Sequence, residues 1–331
     1  MLSQYLYFFI PSIIIVSLWL MYMILIDGFH IVTAHWPFAV TMILGGFMSG
    51  ATSEGSGALT FPIFTKVLQV EPQIARNFAW LMQAVGMGTA SVLIFKFRIP
   101  FVWQAVIVPA FTGFFGMAFA THYLQPFILP AYAKITFTMV TASFGFVLFW
   151  ENRAKEVHRN DTFRGLALSD AAILGFGGFL GGVVFGIVGT GLDLIVFAIL
   201  VNYYRISEKV ATPTSVVLQA IACLGTVGYH EFRTHAYSNL SPVLYYWLAC
   251  IPASAIMAPI GALVAAKVSR KQVAYILLAL ISVELVSTLW IVRFDDKAKL
   301  FAPAAFVALT LGFLALRAMG KRRGRTEMAR P

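Results

Sequence analysis

Charge is scarce in this sequence: Asp, Glu, Lys and Arg make up 11% of its 331 residues, where a soluble domain carries about 25%. So little charge cannot cover a hydrated surface, which excludes a soluble globular chain. Cysteine is nearly absent. Cys223 and Cys250 both fall inside apolar runs, as buried thiols do, and offer neither a disulfide framework nor a metal cluster. The six histidines, at 30, 35, 122, 158, 230 and 235, lie at the ends of apolar runs or between them, so none is evidently placed as a base for a buried serine. "HEFRTH" at 230–235 spaces its histidines five apart, unlike the zinc-binding H-E-x-x-H helix, and reads as a loop. The triplets "GSG" and "GTG" lack the third glycine of a dinucleotide-binding turn, and no Gly-Lys-Ser/Thr is present, so nucleotide binding is unsupported. The sequence therefore predicts no metal, no cofactor and no enzyme.

What is present is hydrophobic: 60% of the chain. Runs long enough to span a bilayer, about 17 to 25 residues, lie at 5–26, 78–95, 101–121, 132–150, 209–229, 243–265, 272–292 and 301–318. Two longer segments, 37–68 and 172–200, are interrupted by glycine. The predicted fold is an all-α polytopic membrane protein of about eight transmembrane helices plus two glycine-broken re-entrant helical hairpins. No Lys or Arg precedes the first run and no cleavage pattern follows it, so it is expected to be a retained span and not a signal peptide. With both hairpins re-entrant, 17 of the 24 Lys and Arg fall in the loops 96–98, 153–164, 205–209 and 267–271 and in the tail. That bias makes these segments cytoplasmic. It places both termini inside the cell and the chain in the inner membrane, with anionic lipid rather than nucleic acid as the partner of the basic tail.

The two interrupted segments resemble each other. "GGFMSG" at 45 aligns with "GGFLGG" at 177, and "GSGAL" at 55 with "GTGLD" at 189. Beyond them a constant offset of 136 lays "VEPQIARNFAWLMQA" over "ISEKVATPTSVVLQA", pairing Gln83 with Gln219. The organisation read from this is an N-terminal helix in 1–36, repeat one in 37–150, a cytoplasmic linker in 151–169, repeat two in 170–292, and a last helix with its tail in 293–331. Each repeat holds three full crossings, an odd number, so the second is inverted. Inverted repeats with broken helices are a recurring build of secondary transporters, whose site lies at the breaks.

A helix that restarts after a break offers amide donors to an anion. Ser53, Ser56 and Thr190 add hydroxyls, while Gly55, Gly57, Gly189 and Gly191 admit close approach of a ligand. Asn77 and Gln83 in one following helix, and Thr212, Thr214, Ser215 and Gln219 in the other, are candidate substrate ligands. For "GGFLGG" alone, tight helix packing is the competing reading. Glu54 and Asp193 are candidates for coupling or gating. Each is costly to keep charged at this depth, and each can instead cap a half-helix, the reading favoured for Asp193. Glu284 is a weaker candidate. Arg76 with Lys66, and Arg205 with Lys209, sit where they could steer an anion or snorkel to the interface.

The two motifs "GGFMSGATSEGSGALTFPIF" and "GGFLGGVVFGIVGTGLDLIVFAIL", each followed by a helix such as "KVATPTSVVLQA", resemble the TauE/SafE family of membrane permeases, also called the toluene sulfonate uptake group. The resemblance runs over about residues 38–292. It implies movement of a small sulfur-containing anion, such as sulfite, isethionate or sulfoacetate, with the substrate facing Ser53, Gly55, Ser56 and Gly57 on one side and Gly189, Thr190 and Gly191 on the other. The first motif departs from the family's glycine-rich style by carrying Glu54 and Ser56 among its glycines. Glu54 motivates coupling to a proton or sodium ion. The rival readings are an anion channel and an intramembrane hydrolase built on "EGSG", in which glutamate occupies the first glycine position of a serine motif.

Overall fold

Inside hydrocarbon every backbone N–H and C=O needs an internal partner, which the helix supplies within one segment. The computed structural model describes residues 9–53, 55–152, 160, 163, 167–237, 241–292 and 294–328. Over these it places helices α1 (Ile10–Leu25), α2 (Phe29–Ala34), α3 (Trp36–Ala51), α4 (Gly57–Pro62), α5 (Pro72–Lys96), α6 (Gln104–Phe119), α7 (Pro130–Asn152), α8 (Leu168–Val188), α9 (Leu192–Asn202), α10 (Glu208–Thr234), α11 (Pro242–Lys267), α12 (Arg270–Ile291) and α13 (Asp296–Met328). Proline opens α1, α3, α5 and α11, where its missing N–H costs nothing. Short π-helical turns extend α4 over Ile63–Val67 and α6 over Ala120–Leu124.

Eight helices are long and apolar enough to cross a membrane, and the chain is a polytopic all-α membrane protein. The membership of the eight differs from the sequence expectation. Leu168–Val188, the first arm of the second broken segment, has 21 residues and qualifies by itself, whereas Ile10–Leu25 has 16. "HEFRTH" is not a loop: His230–Thr234 form the last turn of α10, and His235 ends it in the left-handed conformation at φ 46°. The polar residues there continue one helix past its apolar stretch. The linker expected at 151–169 lies mostly outside the described residues.

Packing follows a paired pattern. α3 lies along α11 and α6 along α8; α5 lies along α10; α4 packs on α5 as α9 packs on α10. Exchanging the set α3–α7 for the set α8–α12 reproduces each of these pairings. The glycines agree in detail. A Cβ added at Gly46 would meet Ser254 Cα at 2.8 Å, and one at Gly178 would meet Pro109 Cα at 2.6 Å. One at Gly50 would collide with the Ala258 carbonyl, one at Gly182 with the Gly113 carbonyl, one at Gly261 with Phe47 and one at Gly116 with Phe179. "GGFMSG" and "GGFLGG" are thus helix interior, and their small residues let two backbones touch. The breaks themselves lie later, at residues 52–56 and 189–191.

Polarity is distributed as lipid demands. Large apolar side chains stand exposed along α1, α6, α12 and α13, among them Leu18, Phe111, Val283 and Leu311, while Ser53, Ser56, Gln83, Thr214 and Gln219 are fully enclosed.

Candidate functional site

Glycine makes the second break. α8 ends at Gly189 with φ 93°, and α9 starts after Gly191 at φ 117°, values that L side chains rarely adopt. The first break turns at Gly55, φ 64°. The two breaks meet: a Cβ at Gly57 would lie 2.7 Å from Thr190, and one at Gly55 would lie 3.0 Å from Gln83 Oε1 and 3.6 Å from Asp193 Oδ2.

The two glutamines 136 positions apart join at this point. Gln219 Nε2 donates to Gln83 Oε1 at 3.1 Å, and Gln83 Nε2 donates to the Gly189 carbonyl at 2.9 Å and to Ala79 O at 3.1 Å. One short chain of bonds therefore ties both long helices to the second break. Around it, Ser53 Oγ, Ser56 Oγ, Gln219 Oε1 and Asp193 Oδ2 are buried without a hydrogen-bond partner among the described residues. Buried polar groups are normally satisfied, so these four atoms are open to a polar ligand held between the breaks.

Asp193 alters the expected cradle. Its Oδ1 accepts from the Gly191 N–H at 3.0 Å and the Leu194 N–H at 2.9 Å. The Gly191 and Leu194 amides are thus capped by the chain's own carboxylate and are not open to an anion. The physical reason is local: an acidic side chain in the first turn reaches these donors before any solute can. Glu54, expected beside it, lies outside the described residues.

Two cavities flank the glutamine pair along α5 and α10. One, of about 480 Å³, is lined by the N-terminal end of α5 (Gln73, Arg76, Asn77) and the C-terminal end of α10 (His230, Arg233, Thr234), with His122 and Gln125 closing its side. The other, of about 310 Å³, is lined by the C-terminal end of α5 (Ile94) with Phe97 and Arg98, and by the start of α10 (Lys209, Thr212, Pro213). The two helices are therefore antiparallel. The offset of 136 maps the six named α5 and α10 residues of the first cavity onto residues 209, 212, 213, 94, 97 and 98 of the second. Arg76 precedes Gln83 by seven residues and Thr212 precedes Gln219 by seven, about 10 Å of helix in each case. Gln83 and Gln219, each fully buried, close the middle.

Not every expected residue belongs here. Thr214 Oγ1 accepts from the Val102 N–H at 3.0 Å and donates to Val210 O at 2.7 Å, which pins the 99–103 loop to α10. Ser215 Oγ is spent on Thr212 O at 2.8 Å. Arg205 sits in a turn at φ 55°, its carbonyl accepting from Asn160 N–H at 2.8 Å, and lines neither cavity. Lys66, read as a mouth cation, is buried and paired with Glu284: Nζ lies 2.8 Å from Oε2, and Thr288 and Ser287 accept from the same ammonium. Thr138 donates to the other carboxylate oxygen at 2.7 Å. The pair clamps the turn after α4 to α7 and α12.

Sequence reasoning passed over Trp80, and it gave His122, His230 and Arg233 no binding role because it placed them at run ends and in a loop. A signal existed: Arg76 and Trp80 are four residues apart on α5, and His230 and Arg233 three apart on α10, spacings that share a helix face. It also passed over Ser49 and Ser254, whose unpartnered hydroxyls crowd Gly86.

No curated protein and no solved structure matches this chain. The family model described as sulfite exporter TauE/SafE matches residues 38–288, which spans both broken segments and the helices that carry Gln83 and Gln219. The chain belongs to the TauE/SafE family of membrane transporters.

Proposed function

We propose that this protein carries a small sulfur oxyanion, sulfite or a two-carbon sulfonate such as isethionate or sulfoacetate, through the Gln83–Gln219 centre by alternating access. The observation that carries the reading is the pair of cavities, related by one sequence offset and separated by that bond. The repeats are residues 37–150 and 170–292, the second inverted, and rocking of one against the other opens each cavity in turn. A neutral shell of Ser53, Ser56, Gln83 and Gln219 suits an ion that must also leave, because fixed full charges at the centre would hold it. The distribution of basic loops supports the inner membrane, with both termini cytoplasmic.

Asp193 gives the transport a coupling ion. An anion beside Oδ2 requires that carboxylate to be protonated or accompanied by a cation, so binding of substrate draws in a proton or sodium ion at the same point.

Reconstitution into vesicles tests the reading. The expected result is slow, saturable uptake of sulfite, isethionate or sulfoacetate that acetate of equal concentration does not inhibit. Unitary currents in a planar bilayer would make the protein a channel, and uptake of none of these ions would remove the assignment.

A further inference from the structure

The larger cavity contains a feature that its partner lacks. Arg76 is 2% exposed, yet among the described residues its guanidinium bonds only neutral groups: Asn77 Oδ1 at 3.2 and 3.3 Å and the Gly186 carbonyl at 3.2 Å. Among the described residues, no carboxylate forms an ion pair with it. Glu71 lines a smaller neighbouring cavity with Arg76 without pairing to it, and Glu231 turns an oxygen to the Tyr237 N–H at 2.8 Å. A buried cation without a counter-charge is costly, and in a membrane such a residue marks a functional site.

The surroundings add donors and rigidity. Arg76 lies 4.8 Å over the ring of Trp80, and His230 stacks on that ring at 4.8 Å with a 22° tilt. Stacking fixes the guanidinium plane, and the three bonds to Asn77 and Gly186 leave two of its five N–H donors unspent. Trp80 Nε1 and His230 Nε2 are buried without a hydrogen-bond partner among the described residues. Across the cavity Arg233 is held by Tyr229 Oη at 2.6 Å and by His122 Nδ1 at 3.0 Å. In the second cavity the offset places Thr212 at the position of Arg76, Val216 at Trp80, Ile94 at His230 and Phe97 at Arg233. The duplicated fold does not demand these four groups, so they are specific to one face.

We propose that the Arg76–Arg233 vestibule is a capture site for the oxyanion, present on one face only, about 10 Å of helix from the central glutamines. It deepens the transport reading and rests on it for the identity of the ion. The N–H donors that Arg76 and Arg233 keep beyond the bonds already named can take adjacent oxygens of a sulfite or sulfonate group. Arg233 is exposed and meets the ion first; the enclosed Arg76 receives it. The site raises the local concentration of anion at that mouth, and the asymmetry makes transport from that face saturate at lower concentration than transport from the other.

Calorimetric titration of the full-length chain in detergent with sodium sulfite and sodium isethionate, at low ionic strength, tests this without requiring flux. Arg233→Gln, at an exposed position, and Arg76→Lys, which keeps the charge and loses the fork, are each expected to weaken binding at least fivefold with the thermal transition unchanged. In vesicles the same variants raise the half-saturating concentration from one face only. Wild-type affinity in both variants overturns the proposal, as does the absence of binding to either ion by the wild type. Arginine-dependent binding without saturable uptake leaves the capture site standing and removes the transport reading. Saturable uptake indifferent to both arginines does the reverse.

Discussion

Gln83 and Gln219 are the residues on which the two halves of the chain agree. Both lie deep in apolar helices, and their side chains meet at 3.1 Å, so the equivalence visible in the sequence corresponds to a physical contact. Asp193 behaves differently from an open cradle because one carboxylate oxygen is engaged by its own helix and the other faces Gly55. Substrate and a charged Asp193 oppose each other, so wild-type isethionate binding should tighten as pH falls, since the anion favours the protonated acid. Isethionate is the suitable probe because its sulfonate does not titrate in this range. Asp193→Asn should bind at every pH as the wild type does at its acid limit, with a flat profile by calorimetry. An Asn variant that retains the wild-type slope would assign the coupling elsewhere. The Lys66–Glu284 pair was invisible to sequence reasoning for a simple reason: its members are 218 positions apart, and no local pattern links them.

At the scale of elements, glycine serves two purposes that a string of letters does not separate. Gly50 and Gly182 allow α3 to touch α11 and α8 to touch α6, whereas Gly189 and Gly191 turn the chain. The sequence located both broken segments and most long helices, because apolar runs and glycine triplets are strong local signals. It could not tell which glycines bend and which pack, since packing depends on the neighbour. The distinction predicts unequal costs. Gly50→Val or Gly182→Val forces helix backbones apart and should lower the thermal transition in detergent well beyond the effect of Gly88→Ala. At Gly88 nothing lies within 4 Å of an added Cβ, and alanine there gains about 0.5–1 kcal/mol of helix propensity. Equal transitions for the three variants would contradict the close approach. The expectation of a loop at "HEFRTH" failed at this scale as well: the motif was judged by its histidine spacing, while its continuation of the α10 face made it helix.

At the scale of the whole molecule, the antiparallel course of α5 and α10 has a direct geometric consequence. Asn77 and Thr212 stand one position off equivalence on antiparallel helices and open into different cavities. In a background in which the buried Cys223 and Cys250 are replaced by alanine, Asn77→Cys and Thr212→Cys should react with a membrane-impermeant thiol reagent added to opposite faces of sealed vesicles. Labelling of both from one face would rule out two opposed vestibules. The apolar exterior and the polar centre were legible from composition and from the placement of glutamine and serine. The asymmetry between the vestibules was not, because it arises from four side chains gathered from α5 and α10.

The account stands on the claim that substrate passes through the Gln83–Gln219 bond, and the initial rate of sulfite or isethionate uptake into vesicles containing Gln83→Ala or Gln219→Ala measures this most directly. Loss of one buried polar partner, about 1–3 kcal/mol, predicts a fall of roughly fivefold to a hundredfold in each variant, with anion binding at the Arg76 vestibule retained. Wild-type rates in both variants would place the pathway elsewhere in the molecule.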